Sequence, residues 1–337
     1  MTFGNPFMDK VPTTMAYAKA DGRVWHDTGK ALDHYPTSTE MLEAAGLDFN
    51  VVRTRVQWAA ETVGNRWRAS SSRFVLYRDD TGDFLGIVGK DYQPDHPRDL
   101  FILADDLVQD GRAVYSTAGL IYSGDAPRIW CSLRLLGDDW KIAGEEHKPY
   151  IWLSSSWDTR QALHCRPVDI RVICGNTYAL AMNQKEGLTI RHDARDRDAL
   201  KAEAAKMLAV THGEFDRFKV WAEIAALKGV SDQTRAQVED IVAPPVRDLP
   251  GQPADHRVRA QAFRQRTLRK FNTIATEEIS VGGNNAYSLF NAVTGYVDWG
   301  KKVKTAKNNT RSTSAMYSQL SGDGARIKRQ AYELLSV

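Results

Sequence analysis

The chain has 337 residues, of which 42% are hydrophobic and 26% charged, and its formal net charge is +3. This composition excludes a largely disordered or collagen-like chain, and the length suffices for one large domain or for a main domain with an extension. No stretch approaches the apolar length of a membrane span, and the first residues lack a secretory signal pattern. With only three cysteines, a soluble cytoplasmic protein without a disulfide framework is expected.

Positive charge is concentrated near the carboxyl end of the chain. From Asp255 to Val337, 14 Lys and Arg stand against six Asp and Glu, a net charge of +8, so residues 1–254 carry −5. Such a division of charge favours a polyanionic partner. The alternative is a solvated basic surface that binds nothing.

In chain order, residues 1–36 contain Pro, Gly and Thr without clear periodicity, which predicts an N-terminal arm. A capped helix is predicted over residues 38–46, because an early glutamate follows a hydroxyl residue and a glycine ends the segment. A β-hairpin follows, in which the strand-like segments 74–77 and 84–88 flank a turn at residues 79–82.

The middle of the chain predicts a helix that begins at Pro97 and ends near Gly111. Further strand-like segments are predicted at residues 113–122, 128–136, 150–154 and 170–174. Apolar residues spaced by three and four predict a long helix over residues 198–228, whose stripe is most simply core. Residues 243–253, rich in proline, predict a linker. The chain is therefore predicted to be an α+β protein with a core domain over residues 37–245, built from a β-hairpin, a helix, further strands and a long helix.

After the linker, a helix is predicted from Asp255 to about Thr276. Its apolar stripe consists of Ala260, Phe263, Thr267, Phe271 and Ile274. The candidate phosphate contacts on this helix are Arg257, Arg259, Arg264, Arg266, Arg269 and Lys270. A helix packed by that stripe would present cations from both of its flanks to a nucleic-acid backbone.

A second basic segment follows in the predicted C-terminal region, residues 255–337, which is expected to be mainly helical. Before this segment, Gly282-Gly283-Asn284-Asn285 predicts a flexible or ligand-approaching loop. The segment is rich in Asn, Ser and Thr, which add neutral contacts to phosphate and sugar. Its candidate cations are Lys301, Lys302, Lys304, Lys307 and Arg311.

Four further residues are candidates for the same nucleic-acid groove: Lys90, Tyr92, Arg171 and Asn176. Lys90 and Tyr92 follow the predicted hairpin, and the other two flank a short strand. Each also has a structural interpretation, because Arg and Asn at the ends of elements often brace turns.

Motifs for catalysis, metals and nucleotides are weak. Gly86-Ile-Val-Gly89-Lys90 resembles a phosphate-binding loop, but its glycines are too close and Asp91 stands where Ser or Thr would hold magnesium. No C-x-x-C or H-x-x-x-H pair indicates a metal site. Adjacent carboxylates and serines show no catalytic spacing. We therefore expect no cofactor, no metal and no catalytic residue.

Tryptophan is frequent, with nine residues in the chain, and several adjoin Arg or Lys, as in Arg66-Trp67-Arg68. Exposed aromatic rings beside cations hold single-stranded nucleic acids by stacking on the bases. Burial in the core is the alternative interpretation for most of these tryptophans.

Four motifs and a basic end follow one another in order between about residues 25 and 335. The motifs are Arg78–Pro94, Arg171–Tyr178, Ile190–Asp193 and Asn291–Asp298. Together they resemble a family of phage- and plasmid-like proteins of unassigned function, which implies a mobile-element context. The order of hairpin, helix and strands also resembles the core of single-strand annealing proteins of the Rad52 and phage-recombinase type. That resemblance implies rings or filaments that hold DNA in a basic groove without ATP.

The leading hypothesis is an ATP-independent single-stranded DNA-binding protein that promotes strand annealing and recombination as a homo-oligomer. The alternative is a protein-binding accessory or defence-related factor of a mobile element, whose basic end binds an acidic partner. A third hypothesis is an enzyme that acts on nucleic acid, such as a metal-dependent nuclease.

Overall fold

The computed structural model describes most of the chain, with gaps between the described ranges. These ranges are residues 15–21, 29–60, 64, 66–123, 126–137, 140–142, 144–159, 163–171, 176–179, 188–190, 197–247, 251, 253–305, 311–320 and 322–336. Within them the chain is an α+β protein, as the sequence predicts. No helix among these residues is long and apolar enough to cross a membrane.

The described strands form one large and one small sheet. In chain order they are β1 (Met15–Ala18), β2 (Lys30–Leu32), β3 (Val51–Ala60), β4 (Arg66–Arg78), β5 (Phe84–Gly89), β6 (Ala113–Ser123), β7 (Ala126–Leu135), β8 (Trp140–Ile142), β9 (Glu145–Ser156), β10 (Leu163–Arg171), β11 (Asn176–Ala179) and β12 (Leu188–Ile190). The large sheet has the order β11-β10-β9-β7-β6-β1-β2, with β12 beside β10 and β8 beside β9, and the small sheet has the order β3-β4-β5. All pairs are antiparallel except β1 with β2.

The described α-helices lie mostly in the second half of the chain. They are α1 (Ser38–Ala44), α2 (Pro97–Gln109), α3 (Arg197–Leu227), α4 (Asp232–Val242), α5 (Ala254–Gly282), α6 (Ala286–Gly295), α7 (Arg311–Leu320) and α8 (Asp323–Leu335). A short 3-10 helix spans Lys19–Asp21, and a π-helical turn spans Tyr296–Gly300.

Several predicted elements are confirmed by this structure. The hairpin over residues 74–88 is β4 paired with β5, and its turn ends at Gly82, whose φ of 75° favours glycine. Thr37 caps α1 and forms a capping box with Glu40, one residue before the predicted start. Pro97 begins α2, and the predicted long helix is α3.

The strand predictions are confirmed in part. The segments 113–122 and 128–136 correspond to β6 and β7, which pair with each other, and 150–154 lies inside β9. The segment 170–174 overlaps the end of β10, while residues 172–174 lie outside the described residues.

The N-terminal segment differs from the sequence prediction of an arm with little regular structure. Residues 15–18 and 30–32 form β1 and β2, and β1 pairs with β6 in the large sheet. Strands this short contain too few residues to show a two-residue hydrophobic period, so their backbone pairing leaves no signal in the sequence.

The two faces of the large sheet bury different side chains. Ile129, Cys131 and Leu133 of β7 belong to the main core, which also contains side chains from α1, α2 and α3. The intervening Trp130 points to the opposite face and stacks on Trp152 of β9, with ring centroids 4.4 Å apart. Both tryptophans are buried, which agrees with the structural interpretation of these two residues.

Helix α6 lies at the centre of the helical layer, and every one of its residues is buried. Tyr287 connects it to the large sheet through a 2.9 Å hydrogen bond between its hydroxyl and His147 of β9. Phe290 packs against Trp221 of α3 and Tyr332 of α8. The basic C-terminal region therefore shares one hydrophobic core with the sheet. The division into domains at residues 37–245 and 255–337 stays a prediction.

A buried ion pair fixes the π-helical turn that follows α6 to α8. The Nζ atom of Lys328 lies 2.5 Å from a carboxylate oxygen of Asp298, and both side chains are at most 3% exposed. The side-chain amide of Gln319 donates a hydrogen bond to the Asp298 carbonyl oxygen at 3.0 Å. Because a buried charge without its partner is costly, each member of the pair depends on the other.

Replacing Lys328 by Met should therefore lower the free energy of unfolding by about 3–5 kcal/mol, because the buried charge of Asp298 loses the ammonium group that neutralises it. The double variant Asp298→Leu with Lys328→Met should recover most of that loss. Asp255→Ala, which breaks the exposed ion pair with Arg259, should cost less than about 1 kcal/mol. Urea unfolding measures all three, and equal losses for the exposed and the buried pair would contradict this account.

The two glycines of the segment that resembles a phosphate loop have different surroundings. A Cβ atom at Gly86 would lie 2.9 Å from the carbonyl carbon of Trp157 and closer still to its oxygen, whereas one at Gly89 would meet nothing within 4 Å. Gly86 is therefore needed for close packing of β5 against the loop after β9.

Gly86→Ala should lower the free energy of unfolding by about 1–3 kcal/mol, because the added methyl group displaces backbone. Gly89→Ala, the matched control, should change it by no more than about 0.5 kcal/mol. Thermal unfolding of the two variants measures the difference. A stable Gly86→Ala protein would show that packing against Trp157 does not require this glycine.

Candidate nucleic-acid interface

Helix α5 provides most of the candidate site, and it is longer than the predicted helix over residues 255–276. Thr267 and Phe271 of the predicted stripe are buried and Ile274 is half-buried, while the buried Ala275 was not part of that prediction. Phe263 departs from that prediction, since it is 66% exposed. Among the described residues, the buried part of the stripe begins only at Thr267.

A groove of about 700 Å³ runs between α5, the residues after α4, the π-helical turn and the start of α8. Its walls combine apolar and cationic side chains with one carboxylate. The lining residues are Ile241, Val242, Ala243, Pro244, Val246, Ala260, Phe263, Arg264, Arg266, Thr267, Lys270, Tyr296, Gly300, Lys301, Lys302, Asp323, Arg326 and Ile327. We refer to it as the basic groove.

Three cations of the basic groove are held by partners in the protein. Arg264 donates to the carbonyl oxygen of Ala243 at 3.0 Å and lies 2.6 Å from a carboxylate oxygen of Asp240. Lys301 and Arg326 both form ion pairs with Asp323. These contacts fix the three side chains on the walls of the groove.

The other three cations of the basic groove are Arg266, Lys270 and Lys302. All three are exposed, and their side chains make no hydrogen bond or ion pair with any residue in the described ranges. Their positive charges therefore face solvent and are available to an anion.

Asp323 is the single carboxylate among the described residues that line the groove, and its ionised form is favoured. Partial burial would raise the pKa of its carboxyl group, but hydrogen bonds from Lys301 and Arg326 outweigh burial and lower the pKa below its usual value. At neutral pH its negative charge offsets only part of the charge of its two partners. The groove as a whole stays positive.

The structure brings five of the predicted site residues together and leaves others apart. Arg264, Arg266, Lys270, Lys301 and Lys302 line the basic groove. The cations Arg257, Arg259, Arg269 and Lys304 are exposed but do not line it. Lys307 lies outside the described residues, and the side chain of Arg311 at the start of α7 is likewise not described.

Lys90 and Tyr92, whose side chains the structure describes, do not line this groove either. Lys90 is exposed after β5, while Tyr92 is half-buried and packs against the main core, where burial raises the pKa of its hydroxyl. Arg171 and Asn176 face each other in the ladder between β10 and β11, and their side chains lie outside the described part of the chain.

The predicted loop at residues 282–285 has a structural role in place of a ligand-approaching one. Gly283 adopts a φ of 85° as it ends α5. The Asn285 side chain accepts a hydrogen bond from the Ser288 backbone N–H at 2.8 Å and thereby caps α6. The polar residues of this loop are used to turn the chain between two helices.

Sequence reasoning missed two features of the groove. Arg326 was counted only as part of the total charge, although its position before the buried Ile327 on α8 places it at the groove. Tyr296 contributes an aromatic wall from the π-helical turn, a geometry that leaves no periodic signal in the sequence.

The candidate site contains no metal-ligand constellation. Among the described residues, no group of three or more His, Cys, Asp or Glu side chains is arranged to hold a metal ion. Cys131 and Cys165 are buried, and burial raises the pKa of both thiols well above the usual value. Their thiolate forms are therefore disfavoured.

Comparison with known proteins gives one match. No curated protein and no solved structure is similar to this chain at a significant level. Residues 84–317 match the family model described as Domain of unknown function (DUF932), and the matched segment runs from β5 to α7. Because this segment covers more than half of the chain, the protein belongs to the DUF932 family.

Proposed function

We propose that the protein binds single-stranded DNA in the basic groove and promotes strand annealing without ATP. The observation that carries the proposal is the convergence of two basic segments, distant in sequence, on one groove with apolar walls. Arg266 and Lys270 come from α5, and Lys302 comes from the segment after the π-helical turn.

The charges of the groove support a polyanionic ligand. Six cations and one carboxylate line it, and the three exposed cations lie on two different walls. A phosphate backbone along the groove would contact both walls and release its condensed counterions, which gives binding that weakens with salt. A small monoanion would leave most of these charges without a partner.

The apolar side chains support a single strand over a duplex. Phe263 is exposed beside Arg264 and Arg266, and the partly exposed Ala260 and Val246 also line the groove, whereas Tyr296 behind them is buried. Unpaired bases can stack on or pack against such surfaces, whereas a duplex presents mainly its backbone to a protein groove. The ligand proposed is therefore a strand whose bases are unpaired.

The annealing step, the homo-oligomeric state and the phage or plasmid context rest on the sequence resemblance described above. Proteins of the Rad52 and phage-recombinase type act without a nucleotide, and the packing of Gly86 against Trp157 supports a structural role for the one glycine segment that resembles a phosphate loop. Resemblance of fold does not by itself fix function, so binding is the first property to test.

Fluorescence anisotropy of a labelled strand of about 40 nucleotides should show tight binding at about 50 mM salt and a loss of three to five decades at about 200 mM. The same sequence as a duplex should bind more weakly. No binding at the lower salt concentration would overturn the proposal. Salt-sensitive binding to an acidic protein instead would favour a protein-binding accessory factor, and magnesium-dependent loss of the strand would favour a nuclease.

The variant Arg266→Ala with Lys270→Ala and Lys302→Ala should lower the affinity for the single strand on the order of 100-fold at about 0.1 M salt. Its logarithmic salt slope should become shallower by about 2, because three phosphate contacts are lost. The matched control replaces Arg257, Arg259 and Arg269 by Ala, which removes the same charge from α5 outside the groove. Equal losses in both variants would show that binding depends on net charge and not on the groove.

A further inference from the structure

The outer part of the small sheet has only two strands. β5 pairs with β4 over residues 73–77, whereas β3 and β4 continue together from Gln57 opposite Ala69 to Ala60 opposite Arg66. A register shift between Arg55 and Gln57 separates this part from the rest of the sheet. Such an irregularity increases the local twist of the strand pair. We refer to residues 57–60 and 66–69 as the ribbon.

Both faces of the ribbon expose a tryptophan. Trp58 is 49% exposed and lies directly opposite Arg68, while Trp67 is 71% exposed and lies opposite Ala59. Because side chains alternate between the faces of a strand, the two rings are on opposite faces.

The charge of this region is almost entirely positive. Residues 54–74 contain the arginines 55, 66, 68 and 73 and one acidic residue, Glu61. The side chains of these four arginines make no hydrogen bond or ion pair with any residue that the structure describes, although their backbones are paired in the strands. By the same alternation, Arg66 and Arg68 share the face of Trp58. An exposed indole ring beside cations is the arrangement by which single strands are held, with stacking on bases and charge on phosphates.

We propose that the ribbon is a second nucleic-acid contact, in which Trp58 and Trp67 stack on unpaired bases while Arg66 and Arg68 contact the phosphates. This inference shares the ligand class of the proposed function but not its site, since the ribbon contributes no residue to the basic groove. The ribbon also precedes residue 84, where the family match begins.

A strand with unpaired bases fits the surface of the ribbon better than a second copy of the ribbon or a duplex would. If the ribbons of two protein molecules associated, the arginines of one would lie against the arginines of the other, and like charges on neighbouring strands repel each other. In a duplex the faces of the bases are covered by the neighbouring base pairs. The two indole rings could therefore stack on a base only if the duplex were locally unstacked. A single strand offers both base faces and phosphates.

The test compares a single strand of about 30 thymidines with an abasic strand of the same length and charge. Wild-type protein, the variant Trp58→Ala with Trp67→Ala, and the control Phe84→Ala are titrated by anisotropy. Phe84 is an exposed aromatic residue of the same small sheet, outside the ribbon. Circular dichroism and thermal unfolding establish that each variant is folded.

The double tryptophan variant should bind the thymidine strand at least about tenfold more weakly and the abasic strand less than about twofold more weakly, because stacking requires bases. Phe84→Ala should match wild type on both strands. Equal binding of the thymidine strand by wild type and the double variant would overturn the ribbon site. A change in sedimentation without a change in binding would assign the ribbon to self-association and would likewise overturn it.

The groove proposal and the ribbon proposal can be tested separately if the groove triple variant is titrated alongside these proteins. If the groove triple variant binds like wild type while the tryptophan variant does not, the proposed groove is wrong and the ribbon contact stands. If wild-type protein binds neither strand, both proposals are wrong.

Discussion

The burial of α6 is the constraint on which the rest of the helical layer depends. A helix whose every side chain is buried must be covered on all sides, and here the sheet, α3, α5 and α8 provide that cover. Single side chains of α6 contact each neighbour: Tyr287 is hydrogen-bonded to His147 of the sheet, and Phe290 packs against Trp221 of α3 and Tyr332 of α8. Two of these elements, α5 and α8, also form walls of the basic groove, so the packing of α6 contributes to the geometry of the groove.

In the helical layer, the buried charges are paired with opposite charges, whereas the excess positive charge lies at the surface. In the interior, Asp298 and Lys328 neutralise each other at 2.5 Å, as a low-dielectric environment requires. At the groove, Asp323 bridges Lys301 and Arg326, while Arg266, Lys270 and Lys302 face solvent. Excess positive charge is thus confined to a surface where water and counterions screen it, and from which an anionic ligand can displace those counterions.

The two proposed contacts use different physical means. The groove offers several cations around apolar walls, whereas the ribbon offers two exposed indole rings with arginines beside them. The groove residues on α5 and after the π-helical turn lie within the segment that matches the DUF932 family, and the ribbon lies before it. A charge-dominated contact is sensitive to salt, and a stacking contact is much less so, which is why the two can be separated experimentally.

The sequence by itself determined the α+β class, the hairpin of β4 and β5, the starts of α1 and α2, and the charge of the C-terminal region. These features depend on local patterns: turn residues, caps and periodic apolar side chains. Only the tertiary structure decided which cations share a groove, that Phe263 is exposed, and that β1 joins the large sheet. The physical reason is that these outcomes depend on contacts between residues far apart in the chain, which local propensity does not encode.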